Sequence, residues 1–270
     1  MARLVVWAVS IAVLAVAAAA VWLASGPSGR TLPIPPQGPG MTIALRGGRT
    51  LGYRETGDPA GAPVLMIHGT PGSRLLYIAS DAELKSWGVR FIQPDRPGFG
   101  LSSPADSMEY HDYYRDIEQL LDHLKIERTG VLGWSAGTPW ALALGATLGT
   151  RVTRVGIVGA LMTPDDERLR GQTPLSSLLF IWTAKHWPSA AGRLIEGLAA
   201  EWRKDPERFF RSQNLRNSKV DVDVAFRPEV ARGLKLSNAE TLRYGFEPLV
   251  RGELRRIGAP WGIDWKAIRA

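Results

Sequence analysis

The sequence contains no cysteine and only four histidines among its 270 residues. Without cysteine there can be no disulfide, no thiolate metal site and no cysteine nucleophile, so any chemistry must use oxygen or nitrogen groups. We expect neither a metal nor a cofactor. Long polar or low-complexity stretches are also lacking: 45% of the residues are hydrophobic, which is enough for a full single-domain core.

Charge is in modest excess of one sign, with 33 lysines and arginines against 26 acidic residues and a formal net charge of +7. The charges are spread along the chain, and no nucleic-acid-binding motif accompanies them. We therefore expect no nucleic-acid partner. A small-molecule substrate is the partner that the motifs described below predict.

Charges are absent from residues 4–24, where the only polar side chain is Ser10. A run of 21 residues without a charge is long enough to span a bilayer as a helix, and it exceeds the usual apolar core of a signal peptide. We therefore predict that residues 1–24 are a transmembrane anchor, with a cleaved signal segment ending near Ala24-Ser25-Gly26 as the alternative. The chain would then be membrane-anchored or exported, with residues 4–24 as its contact with the membrane.

The remaining chain divides by its pattern into a linker, a core and a helical region. Residues 25–40 are rich in proline and glycine and predict an extended linker. Residues 41–164 alternate short apolar runs with helical patterns, which predicts an α/β fold with a mostly parallel sheet covered on both faces. The predicted strands and helices are Thr42–Leu45, Leu51–Glu55, Pro63–Ile67, Asp81–Trp87, Val89–Gln93, Met108–Leu124, Thr129–Leu132 and Val152–Val158. Residues 165–254 are helical and aromatic, which predicts a helical lid.

Residues 133–137 read Gly-Trp-Ser-Ala-Gly and fit the G-x-S-x-G nucleophile elbow. An apolar strand precedes the motif and an alanine-rich helix follows it, which is the context that the elbow requires. The two glycines of the motif and Ala136 have no bulk to clash in a sharp turn, which exposes the Ser135 hydroxyl beside a helix N-terminus. Ser135 is therefore the candidate catalytic nucleophile, and a helix cap is the alternative role.

A second loop, His68-Gly69-Thr70-Pro71-Gly72-Ser73, follows the predicted strand at 63–67. Acyl transfer needs two N–H donors aimed at the developing oxyanion, one from the residue after the nucleophile and one from this earlier loop. Ala136 and Thr70 are therefore the predicted oxyanion hole. His68 is predicted to be a buried structural residue and not the catalytic base.

A third block, Asp95-Arg96-Pro97-Gly98-Phe99-Gly100, follows the strand at 89–93. Together the three blocks resemble the α/β-hydrolase superfamily, in its lidded esterase, peptidase and epoxide-hydrolase-like branch. The resemblance implies that Asp95 organises its loop. It also implies a serine hydrolase, because epoxide hydrolases carry aspartate at the elbow. H-G-T-P-G differs from the H-G-G-P-G of proline iminopeptidases.

The resemblance also implies a triad acid and a histidine after Ser135, and this is where the pattern breaks. Only His186 follows Ser135, and it falls inside the predicted lid. Residues 255–270 resemble the return from lid to core, so we expect a C-terminally truncated fold that lacks its last strands. Asp165, after the strand at 152–158, is the candidate acid. The same strand is expected to form an unpaired apolar edge.

Three functions remain open from the sequence. The first is a serine hydrolase acting on an ester, thioester or amide bond of an apolar small molecule, with this chain inactive because the triad acid and histidine are missing. The second is a non-catalytic module that binds an apolar ligand. The third is an active enzyme with a rearranged triad that uses His186 and Asp165.

Overall fold

The computed structural model describes residues 14–26, 38–105, 107–160, 175–215, 217–241, 243–245 and 248–268. Its centre is a mixed sheet of six strands in the order β1-β2-β4-β3-β5-β6. The strands are β1 (Met41–Ala44), β2 (Thr50–Gly57), β3 (Ala62–Ile67), β4 (Val89–Pro94), β5 (Thr129–Trp134) and β6 (Val152–Val158). β1 and β2 pair antiparallel, as do β2 and β4, whereas β4, β3, β5 and β6 run parallel. The expected mostly parallel sheet is therefore a mixed one.

Helices cover both faces of this sheet. They are α2 (Asp81–Ser86) on one face and α3 (Tyr114–His123) and α4 (Thr138–Thr147) on the other. An earlier helix, α1 (residues 14–24), is largely exposed. α2 begins with a capping box in which the Ser80 side chain and Glu83 satisfy each other's backbone N–H groups. In α3, Ile117, Leu120 and Leu121 follow helical spacing and are fully buried.

The alternation of β3 explains how one strand serves two cores. Leu65 and Ile67 belong to the large cluster beneath α3 and α4, while Met66 between them belongs to the cluster on the opposite face, with Leu84 of α2. Successive side chains of a strand point to opposite faces, so a doubly covered strand must be apolar throughout. The run Pro-Val-Leu-Met-Ile meets that requirement.

A second layer of helices follows the sheet, and we call residues 175–257 the helical segment. It comprises α5 (Leu175–His186), α6 (Pro188–Lys204), α7 (Pro206–Asn214), α8 (Lys219–Ala225), α9 (Pro228–Glu240), a π-helical turn (Pro248–Leu254) and α10 (Arg255–Ile257). After it, Trp261 and Ile263 pack into the large cluster under α3 and α4. The chain thus returns to the sheet after leaving it.

β6 lies at one end of the described sheet, where β5 is the only strand among the described residues that pairs with it. Ile157 and Val158 near its carboxyl end are 37% and 49% exposed. β6 therefore presents apolar side chains at the sheet edge.

The prediction of a transmembrane helix is wrong. Of the predicted span 4–24, residues 14–24 are described and form α1, and the others lie outside the described residues. Within the described part of the chain no helix is long and apolar enough to cross a membrane. This corrects the expected anchor at residues 1–24, the membrane contact and the membrane-anchored or exported localisation.

Candidate active site

The sheet order brings three loops to one edge. β3 is hydrogen-bonded to β4 on one side and to β5 on the other, and all three run parallel. Parallel strands end at the same edge of a sheet, so the loops that begin at His68, Asp95 and Ser135 lie next to one another. This edge is the usual place for ligands in α/β sheets.

Ser135 lies in a strained turn between β5 and the following helices. Its φ is +50°, in the left-handed region that costs a non-glycine residue on the order of 1–2 kcal/mol. The turn closes tightly on both sides: a Cβ built on Gly133 would lie 2.7 Å from Ala141 Cβ, and one on Gly137 would lie 2.1 Å from Ile67 O. The two glycines of the motif are therefore required by space, and the strained residue between them is the serine.

The loop after β3 runs directly beside Ser135. A Cβ built on Gly69 would lie 3.1 Å from Ser135 Cβ and 3.6 Å from Ser135 Oγ. The N–H of Thr70, the next residue, donates no hydrogen bond to another described residue. Ala136 lies in the first turn of helix, where N–H groups have no intrahelical acceptor. The role of these two N–H groups as an oxyanion hole stays a prediction.

The side chain of Arg96 contacts both the loop after β3 and the turn at Ser135. Its side chain is fully buried. One guanidinium nitrogen donates to Gly69 O at 2.9 Å, and the other lies 3.4 Å from Ala136 O. Its Nη2 also donates to Thr70 Oγ1. The guanidinium lies 4.8 Å from the centre of the Phe99 ring, which adds a cation–π contact. A single side chain therefore contacts both loops that carry the candidate N–H donors.

Glu253 of the π-helical turn reaches the same place from the helical segment. Its carboxylate is fully buried and pairs with Arg96. Thr70 Oγ1 donates to Glu253 Oε1 at 3.0 Å. Sequence reasoning missed both residues, because Arg96 was one letter in a loop block and Glu253 one of many charges in the helical region. The available signal was weak: a lone acidic side chain follows the apolar Pro248-Leu249-Val250 run.

His68 is engaged by the backbone on both ring nitrogens. Nδ1 lies 2.8 Å from Gly69 O, and Nε2 accepts the N–H of Arg96 at 3.0 Å. This pattern assigns the proton to Nδ1 in the neutral ring. Burial, followed by the positive charge of Arg96, lowers the pKa of His68 well below its usual 6.5. His68 therefore has no nitrogen available to accept a proton from Ser135.

Asp95 holds the third loop. Its carboxylate is fully buried and accepts the N–H of Arg74 at 2.6 Å, the N–H of Leu101 at 2.8 Å and the Arg74 guanidinium at 2.9 Å. Burial raises the pKa of Asp95 to about 6, although Arg74 and the two N–H donors act in the opposite direction. A Cβ on Gly100 would lie 2.2 Å from this carboxylate. These hydrogen bonds hold the loop that begins at Asp95.

The remaining candidates are His186 and Asp165. His186 is exposed at the end of α5, where its ring stacks on Trp182 at 4.9 Å. Asp165 lies outside the described residues, so its role as the acid stays a prediction. No hydrogen bond joins Ser135 Oγ to any of the four histidines, all of which are described. Within the described chain, no group of three or more histidine, aspartate or glutamate side chains could hold a metal ion.

Comparison with known proteins gives this arrangement a family. A family profile described as alpha/beta hydrolase fold matches residues 62–239. An uncharacterised hydrolase of Bacillus subtilis is 31% identical over 150 residues, which cover 54% of this chain and 50% of that protein. Proline iminopeptidase of Arabidopsis thaliana is 33% identical over 144 residues, covering 49% of this chain and 36% of that protein. This chain thus spans half or less of the length of these curated relatives.

Solved structures show the same fold. A bromoperoxidase from Bacillus anthracis superposes with a TM-score of 0.56 at 22% identity, over 84% of this chain and 76% of that one. At this identity the likeness concerns the fold alone.

Proposed function

This chain belongs to the α/β-hydrolase fold family, and on that premise we propose that it is a serine hydrolase with Ser135 as its nucleophile. The family and its relatives are hydrolases, so the chain is an enzyme by family. The observation that carries the proposal is the φ of +50° at Ser135, in a turn that the neighbouring glycines alone permit. Strain of this kind persists where the surrounding structure enforces it, and it is concentrated at functional sites.

In the proposed reaction, Ser135 Oγ attacks the carbonyl carbon of the substrate. The carbonyl oxygen becomes negatively charged and accepts hydrogen bonds from the N–H groups of Thr70 and Ala136. One such donor contributes about 10²- to 10³-fold to the rate in serine hydrolases. The bond from the carbonyl carbon to the leaving group breaks as the acyl-enzyme forms, and the proton lost by Ser135 Oγ passes through solvent to the leaving group. Water then cleaves the bond between the acyl carbon and Oγ, which releases the acid and returns a proton to Ser135.

The described residues do not supply an evident base for the first step. A serine hydroxyl is a weak nucleophile until a base removes its proton. His68 is engaged on both nitrogens, and His186 is exposed on the helical segment. We therefore propose that these 270 residues by themselves turn substrate over very slowly, through oxyanion stabilisation alone.

The proposed substrate is a small apolar ester, thioester or amide. Ala136 and Phe99 belong to an apolar cluster that is otherwise built from the helical segment: Ala184, Ala191, Ile195, Ala199, Leu249, Val250, Leu254 and Ile257. Side chains of this kind favour an apolar acyl group. The helical segment would then serve as a lid, and the likeness to a proline iminopeptidase keeps amides within the range.

The test is covalent labelling of Ser135 by a fluorophosphonate, with and without added imidazole as an external base. We expect slow labelling that imidazole accelerates, with the adduct mapped to Ser135 by peptide mass spectrometry. Ser135→Ala should show none. Labelling elsewhere in the chain, or no labelling at any imidazole concentration, would refute the nucleophile. Fast labelling without imidazole would refute the proposal that the chain lacks a base.

A non-catalytic binding module is the second candidate, and the absence of a histidine bonded to Ser135 among the described residues is what favours it. A binder would take up an apolar dye such as anilinonaphthalene sulfonate at the cluster around Ala136. It would leave Ser135 unlabelled even with imidazole. The same experiment therefore separates the two candidates.

A further inference from the structure

The contact between Arg96 and Gly69 acts on a candidate oxyanion donor through one peptide unit. Gly69 O and the Thr70 N–H are the two ends of the same peptide bond. A peptide is planar, and its C=O and N–H point in opposite directions. The hydrogen bonds to Gly69 O from Arg96 Nη2 at 2.9 Å and from His68 Nδ1 at 2.8 Å therefore set the direction in which the Thr70 N–H points, and only the first comes from a charged group. A positive charge at the oxygen also polarises the peptide and strengthens its N–H as a donor.

The side chain of Thr70 is held by the same two charged groups. Its hydroxyl donates to Glu253 Oε1 at 3.0 Å and accepts from Arg96 Nη2. Both ends of residue 70 are thus fixed, the backbone through Gly69 O and the side chain through the hydroxyl. Because Glu253 belongs to the π-helical turn, the helical segment takes part in fixing this donor. The turn is itself seated close to the Asp95 loop, since a Cβ on Gly98 would lie 2.4 Å from Pro248 Cβ.

We infer that Arg96 and Glu253 are positioning residues of the oxyanion hole: Arg96 aims the Thr70 N–H through Gly69 O, and Glu253 holds Arg96 and Thr70 in register. Neither side chain touches the substrate in this arrangement. The inference rests on the proposed function of Ser135. It makes the π-helical turn part of the active site, because the donor geometry depends on a carboxylate that arrives only when this turn is docked.

A second arginine–glutamate pair supplies a matched control. Arg74 is also fully buried and pairs with Glu240 of α9. Its other contacts are with Asp95 and with the carbonyl oxygens of Pro39 and Gly38. None of these atoms belongs to the peptide of either candidate N–H donor. Loss of Arg74 should therefore damage packing without changing the donor geometry.

The experiment measures fluorophosphonate labelling of Ser135 at saturating imidazole, with kinact and KI determined separately for the folded full-length protein. Arg96→Met should lower kinact on the order of 10²-fold, the loss expected for one oxyanion donor, with KI little changed. Arg96→Lys keeps the positive charge and a single donor nitrogen, and it should recover at least a tenth of the wild-type kinact. Arg74→Met should leave both constants within about twofold of wild type.

Glu253→Gln keeps the experiment decisive if Arg96→Met does not fold, because the amide preserves the shape and an acceptor oxygen. We expect it to lower kinact several-fold, while Glu240→Gln does not. Wild-type labelling together with an unchanged kinact in Arg96→Met or Glu253→Gln would overturn the positioning role and leave the proposed function standing. Failure of the wild-type protein itself to label would instead overturn the proposed function, and this inference with it.

Discussion

Two buried arginine–glutamate pairs connect the helical segment to the loops of the sheet, and they differ in what else each arginine holds. Arg96 pairs with Glu253 and contacts Gly69 O, Ala136 O and Thr70 Oγ1. Arg74 pairs with Glu240, and its remaining partners are Asp95 and the oxygens of two residues before β1. One pair reaches the peptides beside Ser135, and the other stays within the supporting loops.

This difference shows how the same chemical device serves two purposes. A buried ion pair is weak evidence for stability, because removing two charges from water offsets much of their attraction. What such a pair does provide is a defined geometry, with hydrogen bonds in fixed directions. At Arg74 that geometry orders a loop, whereas at Arg96 it fixes the peptide that carries a candidate donor to the oxyanion.

The largest expected effect comes from removing each carboxylate. Glu253→Ala leaves Arg96 buried without a carboxylate among its contacts with the described residues, which should cost about 3–5 kcal/mol of unfolding free energy. Glu240→Ala should cost less, because Arg74 keeps Asp95 at 2.9 Å. Urea unfolding followed by circular dichroism measures both. If Glu240→Ala lost as much unfolding free energy as Glu253→Ala, or more, the contact of Arg74 with Asp95 would not compensate for the missing glutamate.

A titratable group beside each arginine also has a shifted pKa, and the two shifts have opposite consequences for stability. Burial raises the pKa of Asp95, beside Arg74, to about 6, against 3.8 for the free side chain, a difference of about 3 kcal/mol at 1.36 kcal/mol per pH unit. The folded protein then binds a proton more readily than the unfolded chain does. This contribution to stability is fully present below pH 3.8 and is lost as the pH rises through 6.

His68, whose ring accepts the N–H of Arg96, has the opposite sign. Its pKa is lowered by burial and by Arg96, so its contribution is present above pH 6.5 and is lost as the pH falls toward the folded value. On acidification from pH 7 to 4, Asp95→Asn should therefore lose more stability than wild type, and His68→Asn should lose less. Urea titrations across that range test the signs. Curves for both variants that run parallel to wild type would contradict them.

A pair of glycines gives the next effect. Gly69→Ala places a methyl group 3.1 Å from Ser135 Cβ, so the serine must shift by a few tenths of an ångström. Labelling should slow about tenfold, since a misplacement of 1 Å can cost on the order of 10²-fold. Gly100→Ala instead meets Asp95 and has a φ of +50°, so it should cost about 1–3 kcal/mol of stability. If labelling per folded molecule became slower in Gly100→Ala, or did not become slower in Gly69→Ala, the two glycines would not differ in their effect on Ser135.

The smallest expected effect comes from removing one hydroxyl near each arginine–glutamate pair. Thr70→Val removes the hydrogen bond to Glu253 and should cost about 1 kcal/mol while slowing labelling a few-fold. Ser237→Ala removes the acceptor of the Ser73 N–H, which lies 2.8 Å away, and should cost about 1–3 kcal/mol with labelling unchanged. Thermal unfolding and kinact, measured on the same samples, compare the two. Unchanged labelling in Thr70→Val would leave the hydroxyl with a packing role only.

The features that could be predicted from the sequence are those that depend on a local pattern of residues. The elbow at Ser135 needs a strand, small residues and a helix within a short stretch, and each of these has a readable signal. The elements of the core can be predicted for the same reason. β3 is apolar throughout, and the apolar residues of α3 recur at helical spacing.

Long-range pairs carry no such signal. Arg96 and Glu253 are 157 residues apart in the chain, and Arg74 and Glu240 are 166 apart. Neither partner has a local pattern that names the other. The contact of α1 with α6, where Arg193 lies 5.2 Å from the Trp22 ring, is another long-range contact that the hydropathy of residues 4–24 does not indicate.

A crystal structure of the phosphonylated protein tests the role of Ser135 and its oxyanion donors most directly. We expect an adduct on Ser135 whose phosphonyl oxygen lies about 2.7–3.1 Å from the backbone nitrogens of both Thr70 and Ala136. Arg96 should remain hydrogen-bonded to Gly69 O. An adduct on another residue, or a phosphonyl oxygen turned away from the Thr70 N–H while Arg96 keeps its contacts, would contradict this expectation.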